Sequence, residues 1–374
     1  MKLFQLFILN TILLLSGSYG IVQSRSAVTE SGGSITEKEL EITMSDGAII
    51  RGTLSVSTSK RKSPLLILVS PPVTEDRDMI SSSSTKISKT LADEISQVGY
   101  NVFRFDNRGM GNSTGEIANV TLYSHADDVE QVIDYFKKSP VTAKGKIGLL
   151  GFSEGGATSE VVASRNPAIS FLVLLSVQGY GGYKFYKYQT ARTFEVKAQQ
   201  VGQERGIVDS MFANYDRLSR QLYKVLEQSD NPDSLRGKFD RTLDSTLNKL
   251  YPADSMRVLR QVIKEQSQVW MNPQQIALRK FDPQRYLVQI HCPVLALCGT
   301  SDELVDCEPN LAAIRSALTR AGNSRAEIVT IPNVTHGYRT IKPGRIWELR
   351  DKDEQFSPEA LIKIRTWLEK IRNE

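Results

Sequence analysis

The sequence predicts an α/β fold: a mostly parallel sheet with helices on both faces and an inserted helical cap. Three observations predict it. Strand-like and helix-like segments alternate along most of the 374 residues, which calls for parallel strands joined by crossover helices. The run Leu65-Leu66-Ile67-Leu68-Val69 is apolar at every position, as a central strand covered on both faces requires. From about Gln178 to Ile290 the alternation stops and helical patterns continue alone.

Taken in order, Leu40 to Met44 and Ala48 to Ser57 flank the turn signal Ser45-Asp46-Gly47, giving an N-terminal hairpin that adds antiparallel edge strands. Pro64 to Ser70 is the buried strand. Thr85 to Val98 spaces Ile87, Leu91, Ile95 and Val98 as a helical stripe, and strand Asn101 to Asp106 follows. Thr121 to Lys138 is a helix with Val129, Val132, Ile133 and Phe136 inward. Next come a strand ending at Gly151, a helix from Ser153, and strand Ser170 to Val177. After the interval, Pro293 to Gly299 and Ala326 to Pro332 are strands, while Glu308 to Ala321 and Ser357 to Arg372 are helices. The interval opens on the turn-like Gly179-Tyr180-Gly181-Gly182 and holds the helical patterns Met211-Phe212-x-x-Tyr215-x-x-Leu218 and Val258-Leu259-x-x-Val262-Ile263. Residues 178–290 are therefore expected to form the cap between core segments 38–177 and 291–374. Its cluster Tyr183, Phe185, Tyr186 and Tyr188 suits either an apolar pocket lining or a packing role.

The N-terminus reads as an export signal over residues 1–20. Lys2 precedes an apolar stretch from Leu3 to Leu15, and Ser18 and Gly20 are small residues at −3 and −1 of a cut after Gly20. That run is shorter than the roughly 20 apolar residues needed to span a bilayer, so no stable membrane anchor is expected after cleavage. The implied location is periplasmic or extracellular. Residues 21–37, rich in Ser, Thr and Gly, read as a flexible leader. The formal charge of +5 comes from 47 basic and 42 acidic residues, interleaved without a basic block, which excludes nucleic acid as the expected partner. Cys292 and Cys298 lie about 20 Å apart along one strand and cannot pair there. A Cys298–Cys307 bridge is conceivable around the following loop, but three unpaired cysteines partly in the core are the preferred reading.

The chemistry centres on Gly151-Phe152-Ser153-Glu154-Gly155, which follows a strand directly and leads into a helix. A serine at such a sharp turn needs flanking glycines, because neighbouring chains pass too close for a Cβ. This is the G-x-S-x-G nucleophile elbow. Gly111-Asn112-Ser113-Thr114-Gly115 matches the same pattern, but Ser113 lies in a loop well past its strand and no helix starts there. A serine hydroxyl needs a base, and the chain has only three histidines. His125 sits early in a helix and reads as a surface residue. His291 enters its strand at the amino end, away from the site. His336 follows the last strand and is the candidate base. Asp302, just beyond strand Pro293–Gly299, is the candidate acid that fixes the histidine, with Glu303 and Asp306 as neighbours able to substitute. The order Ser153, Asp302, His336 is that of α/β-hydrolases. The oxyanion donors are then the amide of Glu154 and, since Pro71 and Pro72 have no N–H, the amide of Val73.

The hairpin, Ser70 to Asp78, Phe103-Arg104-Phe105-Asp106-Asn107-Arg108-Gly109 with Gly111, Ser113, Thr114 and Gly115, the elbow through Gly156, Asp302 and His336 together resemble bacterial α/β-hydrolases. The similarity is to the serine-aminopeptidase-like, dienelactone-hydrolase-related group, often exported esterases, and spans about residues 40 to 374. It implies an α/β-hydrolase fold and cleavage of a small-molecule ester through an acyl-enzyme, with no metal or organic cofactor. A peptidase using the same triad, an acyl transferase, and a catalytically silent binding protein are the alternatives. Such relatives commonly carry Gly-Ser-Gly-Pro at the oxyanion loop and His before the nucleophile, where this chain has Pro71-Pro72-Val73 and Phe152. The resemblance also covers Thr74-Glu75-Asp76-Arg77-Asp78, in which Asp76 and Arg77 are expected to order the loop, meet substrate or, most simply, form a solvated ion pair.

Overall fold

A computed structural model describes residues 35–57, 63–79, 86–141, 146–200, 202, 204–251, 268–343 and 355–374. The expected signal peptide, the leader up to residue 34 and the helical pattern at 258–263 lie outside them. The described chain falls into two compact units, one of residues 35–181 and 282–374, the other of residues 182–281.

The first unit is built on one eight-stranded sheet. Its strands are β1 (Thr36–Thr43), β2 (Ile49–Val56), β3 (Leu65–Val69), β4 (Asn101–Phe105), β5 (Ile147–Phe152), β6 (Ile169–Leu175), β7 (Val294–Gly299) and β8 (Ala326–Ile331). They lie in the order β1-β2-β4-β3-β5-β6-β7-β8. β2 pairs antiparallel with β1 and β4, and every later pairing is parallel. β3, β4, β5 and β7 are buried along their whole length, which is why their sequences show no polar alternation.

Helices α1 (Ile87–Gln97), α2 (Leu122–Lys137) and α3 (Glu154–Arg165) cross between strands. On one face Leu66, Leu68 and Val102 pack with Ile87, Leu91 and Ile95 of α1. Ile364, Trp367 and Leu368 of the C-terminal helix Pro358–Asn373 join the same cluster. The next residue along β4, Phe103, points to the other face, where its ring meets Phe136 of α2 at 4.9 Å. Thr121 starts α2 with a side-chain cap on Ser124 N, and Ser357 caps the last helix through Ala360 N.

Two expectations need correction. Thr36 and Glu37, read as the end of the leader, already belong to β1, paired with Val56 and Ser55, and Glu37 meets Arg104 at 3.0 Å. The polar sequence of this exposed edge strand hid it. His125, read as a surface residue, is 1% exposed. It stands on the stripe Leu122, His125, Ala126, Val129, so helical periodicity itself put it inward.

The second unit contains α4 (Gly182–Gln200), α5 (Arg205–Leu226), α6 (Pro232–Leu250) and α7 (Pro273–Lys280) around Phe194, Leu222, Phe239 and Trp270. Tyr183 and Tyr186 pack on Tyr223 inside this unit, at 5.7 and 6.2 Å between ring centroids. The chain passes from one unit to the other at 181/182 and 281/282. The short helix α8 (Gln284–Leu287) thus belongs to the sheet unit, tied by Gln284 Nε2 to the Gly179 carbonyl at 2.6 Å.

Candidate active site

β5 ends at Phe152 and α3 begins at Glu154, leaving Ser153 alone at the corner with φ 52° and ψ −124°. This is a sparsely populated backbone state for a residue with a side chain, costing about 1–3 kcal/mol. Its surroundings enforce it. A Cβ on Gly155 would stand 2.1 Å from the Val69 carbonyl oxygen, and one on Gly151 would meet Gly156 Cα at 2.5 Å. The backbone is pinned by Ser153 N–H donating to the Leu175 carbonyl at 3.0 Å.

His336 and Asp302 arrive from the ends of β8 and β7. The loops carrying them are laced together, with Ser301 N donating to the Val334 carbonyl at 3.0 Å and Thr300 N to the Ile331 carbonyl at 2.9 Å. His336 Nε2 lies 3.1 Å from Ser153 Oγ, and its Nδ1 lies 3.0 Å from both carboxylate oxygens of Asp302. Asp302 is itself fixed, since Oδ1 accepts the Leu304 and Val305 amides at 2.9 and 2.8 Å. A carboxylate only accepts, so Nδ1 carries the ring proton and Nε2 is left to receive one from Ser153. Both His336 and Asp302 are buried. Burial acts to lower the His336 pKa, but the Asp302 charge, the hydrogen bond to Asp302 and the charge of Glu303 outweigh it, holding the imidazole above its ordinary 6.5.

The two acids weighed beside Asp302 stand elsewhere. Glu303 accepts the backbone N–H of His336 at 3.1 Å, and burial, followed by the neighbouring Asp302, raises its pKa above the usual carboxyl value. Asp306 precedes helix α9 (Cys307–Arg320) and accepts Asn310 through its carbonyl at 3.2 Å from N and 2.7 Å from Nδ2. His291 is exposed at the amino end of β7. Ser113 is buried, donating to the Asp106 carbonyl at 2.7 Å and accepting Arg51 N at 2.8 Å, so its hydroxyl is spent on the loop. The three cysteines are free; Cys307 Sγ donates to the Cys298 carbonyl at 3.3 Å.

Glu154 supplies the first amide of α3, beside Ser153. Pro71 to Thr74 form a turn closed by Thr74 N donating to the Pro71 carbonyl at 3.0 Å. The Val73 amide sits inside that turn and has no acceptor among the described residues.

Residues not singled out from the sequence hold this turn. Asn107 Nδ2 donates to the Pro71 carbonyl at 2.7 Å and to Ser70 Oγ at 3.0 Å. Its Oδ1 therefore faces His125 Nε2, at 3.0 Å, as an acceptor, which places the ring proton on Nε2. Nδ1 of His125 must then accept from Thr158 Oγ1, at 3.2 Å. Burial keeps this imidazole neutral by lowering its pKa to about 4. The signal was present in the helical stripe of α2.

Arg77 corrects the reading of a solvated pair. It is nearly buried, donating to Asp106 through its backbone N at 2.7 Å, Nε at 3.2 Å and Nη2 at 2.8 Å, and to Thr53 Oγ1 at 2.9 Å. It orders the segment after β3 from within. Among the described residues no group of three or more His, Cys, Asp or Glu is arranged to hold a metal ion, and no helix is long and apolar enough to cross a membrane.

A sheet of this order, with a strained serine after β5 and Asp and His after β7 and β8, is an α/β-hydrolase. Residues 80–339 match the family model described as serine aminopeptidase, S33, and with well over half of the chain covered, this hydrolase belongs to that family. Among curated proteins none matches. Of the solved structures, the esterase Pf2001 of Pyrococcus furiosus is similar with a TM-score of 0.53 at 16% identity, covering 94% of this chain and 99% of its own. DcsB, in complex with a substrate analogue, gives 0.54 at 16%, with 91% and 100% covered. Est1E of Butyrivibrio proteoclasticus, with ferulic acid bound, gives 0.52 at 16%, with 90% and 100% covered. At such identity these likenesses speak for the fold.

Proposed function

We propose that the protein is a serine hydrolase that cleaves carboxylic esters through an acyl-enzyme. The observation that supports this best is the unbroken relay Ser153 Oγ, His336 Nε2, His336 Nδ1, Asp302, with links of 3.1 and 3.0 Å. Ser153 Oγ attacks the ester carbonyl carbon while His336 takes its proton at Nε2, and Asp302 stabilises the imidazolium. The amides of Glu154 and Val73 receive the negative charge on the carbonyl oxygen. His336 then protonates the departing alcohol, water attacks the acyl group with His336 again as base, and the acid leaves with Ser153 restored. Neither a metal nor an organic cofactor is required.

A second reading, amide hydrolysis at a peptide terminus, is favoured by the description of the family. Rates on p-nitrophenyl acyl esters and on aminoacyl p-nitroanilides decide between them. The ester reading predicts turnover of the former that exceeds the latter, and a loss of about 10⁴-fold or more in Ser153→Ala. Preference for the anilide would replace it with the peptidase. Equal rates in wild type and Ser153→Ala would leave a scaffold without this chemistry. The pattern of residues 1–20 supports export to the periplasm or exterior; the N-terminal mass of protein secreted by its native host, expected to begin at Ile21, tests that.

A further inference from the structure

We propose that the helical unit of residues 182–281 holds a binding site for a small monovalent anion of chloride size, built on the guanidinium of Arg279. Arg279 is 3% exposed. Its guanidinium carbon lies 3.9 Å from the centre of the Trp270 ring and 4.6 Å from that of Tyr186, and Nη1 donates to Tyr223 Oη at 3.3 Å. Among the described residues no carboxylate pairs with it and its Nε has no acceptor. Ser219, 5% exposed and lining the same recess, has an Oγ likewise without a partner among the described residues.

The recess between α4, α5, Trp270 and α7 is also lined by Lys187 and Asp216. Asp216 is the one carboxylate in its described lining, and it is already engaged by Tyr183 Oη, by Lys187 at 3.5 Å and by Arg220 at 2.6 Å. Among the described residues lining the recess, Arg279 and Lys187 stand against Asp216 alone, so positive charge is in excess there.

Arginine cannot relieve this by giving up its proton. Ring faces compensate a buried cation only in part. Water would accept the Nε–H but leave the charge unpaired. A monovalent anion does both, accepting from Arg279 Nε and Ser219 Oγ while cancelling the charge. The free space in the recess is that of about one small particle, which suits a monatomic anion and excludes a sugar acid.

The test is thermal unfolding of the full protein in sodium chloride against sodium gluconate at equal ionic strength. Chloride is expected to raise Tm with a saturating dependence, since a ligand of the folded state stabilises by mass action. The increment should need more chloride in Ser219→Ala and vanish in Arg279→Met. Identical Tm values in the two salts, or an increment that survives in Arg279→Met, would overturn the site. Should Arg279→Met not fold, crystals of the wild type grown in bromide give the answer: an anomalous peak beside Arg279 Nε is expected, and a recess holding water only refutes it.

Discussion

His336 is subject to opposing influences. Burial favours its neutral form, whereas Asp302 and Glu303 favour the imidazolium and prevail. A base acts only when unprotonated, so kcat/KM is expected to fall on the acid side with an apparent pKa above 6.5. Glu303→Gln removes one of the charges that raise it, and the acid limb should move to lower pH, read from the pH profile of kcat/KM. An unmoved limb would mean that Glu303 only holds the His336 backbone. That Ser153, Asp302 and His336 would meet was legible because each lies just past the carboxyl end of a strand, where the sequence pattern and the topology agree. The place of Glu303 was not, because it meets His336 at the backbone N–H as well as through its charge, which no residue-type pattern reveals. Ser113 shows the converse: the motif alone fits it, and only its hydrogen bonds to Asp106 and Arg51 display its structural use.

The elbow and the loop after β3 depend on contacts between elements. Gly155→Ala would press a Cβ onto the Val69 carbonyl at 2.1 Å, so it should unfold at clearly lower temperature and lose activity together, measured by calorimetry and ester turnover. Arg77→Met would leave Asp106, 1% exposed, without its cation, with an expected loss of about 3–5 kcal/mol in denaturant unfolding. Asn107→Ala should loosen the Pro71 to Thr74 turn and, on the proposed mechanism in which the Val73 amide of that turn binds the oxyanion, lower kcat more than it raises KM. Strands such as β3 and β7 were readable as unbroken apolar runs. β1 was only partly so, since its residues face solvent and pair through the backbone. The Asn107–His125–Thr158 chain joins a loop and two helices far apart in sequence, and no local periodicity reports such a network.

At the scale of the molecule, buried titratable groups set how stability varies with pH. Glu160 is fully buried with neither carboxyl oxygen bonded among the described residues, and burial raises its pKa well above 4.5. The folded state therefore holds this proton more tightly, and the contribution of Glu160 declines as pH rises from 4.5 through the raised folded value. His125, lowered to about 4, works in the other sense: its contribution is lost as pH falls from 6.5 toward 4. Glu160→Met should thus unfold at higher temperature than the wild type above neutrality, with the gap widening from pH 4.5 upward; parallel curves would contradict this. The sheet unit was legible as a whole from the alternation of its elements. The recess around Arg279 was not, because it is assembled from helices whose spacing in sequence says nothing about which rings close on the guanidinium.

The central claim is that Ser153 is an activated nucleophile, and the most direct measurement is the intact mass of the purified protein after exposure to a fluorophosphonate, with Ser153→Ala and Ser113→Ala alongside. One phosphonyl adduct on the wild type and on Ser113→Ala, absent from Ser153→Ala, is the predicted result. A folded wild type that gains no adduct, or an adduct that persists in Ser153→Ala, would contradict it.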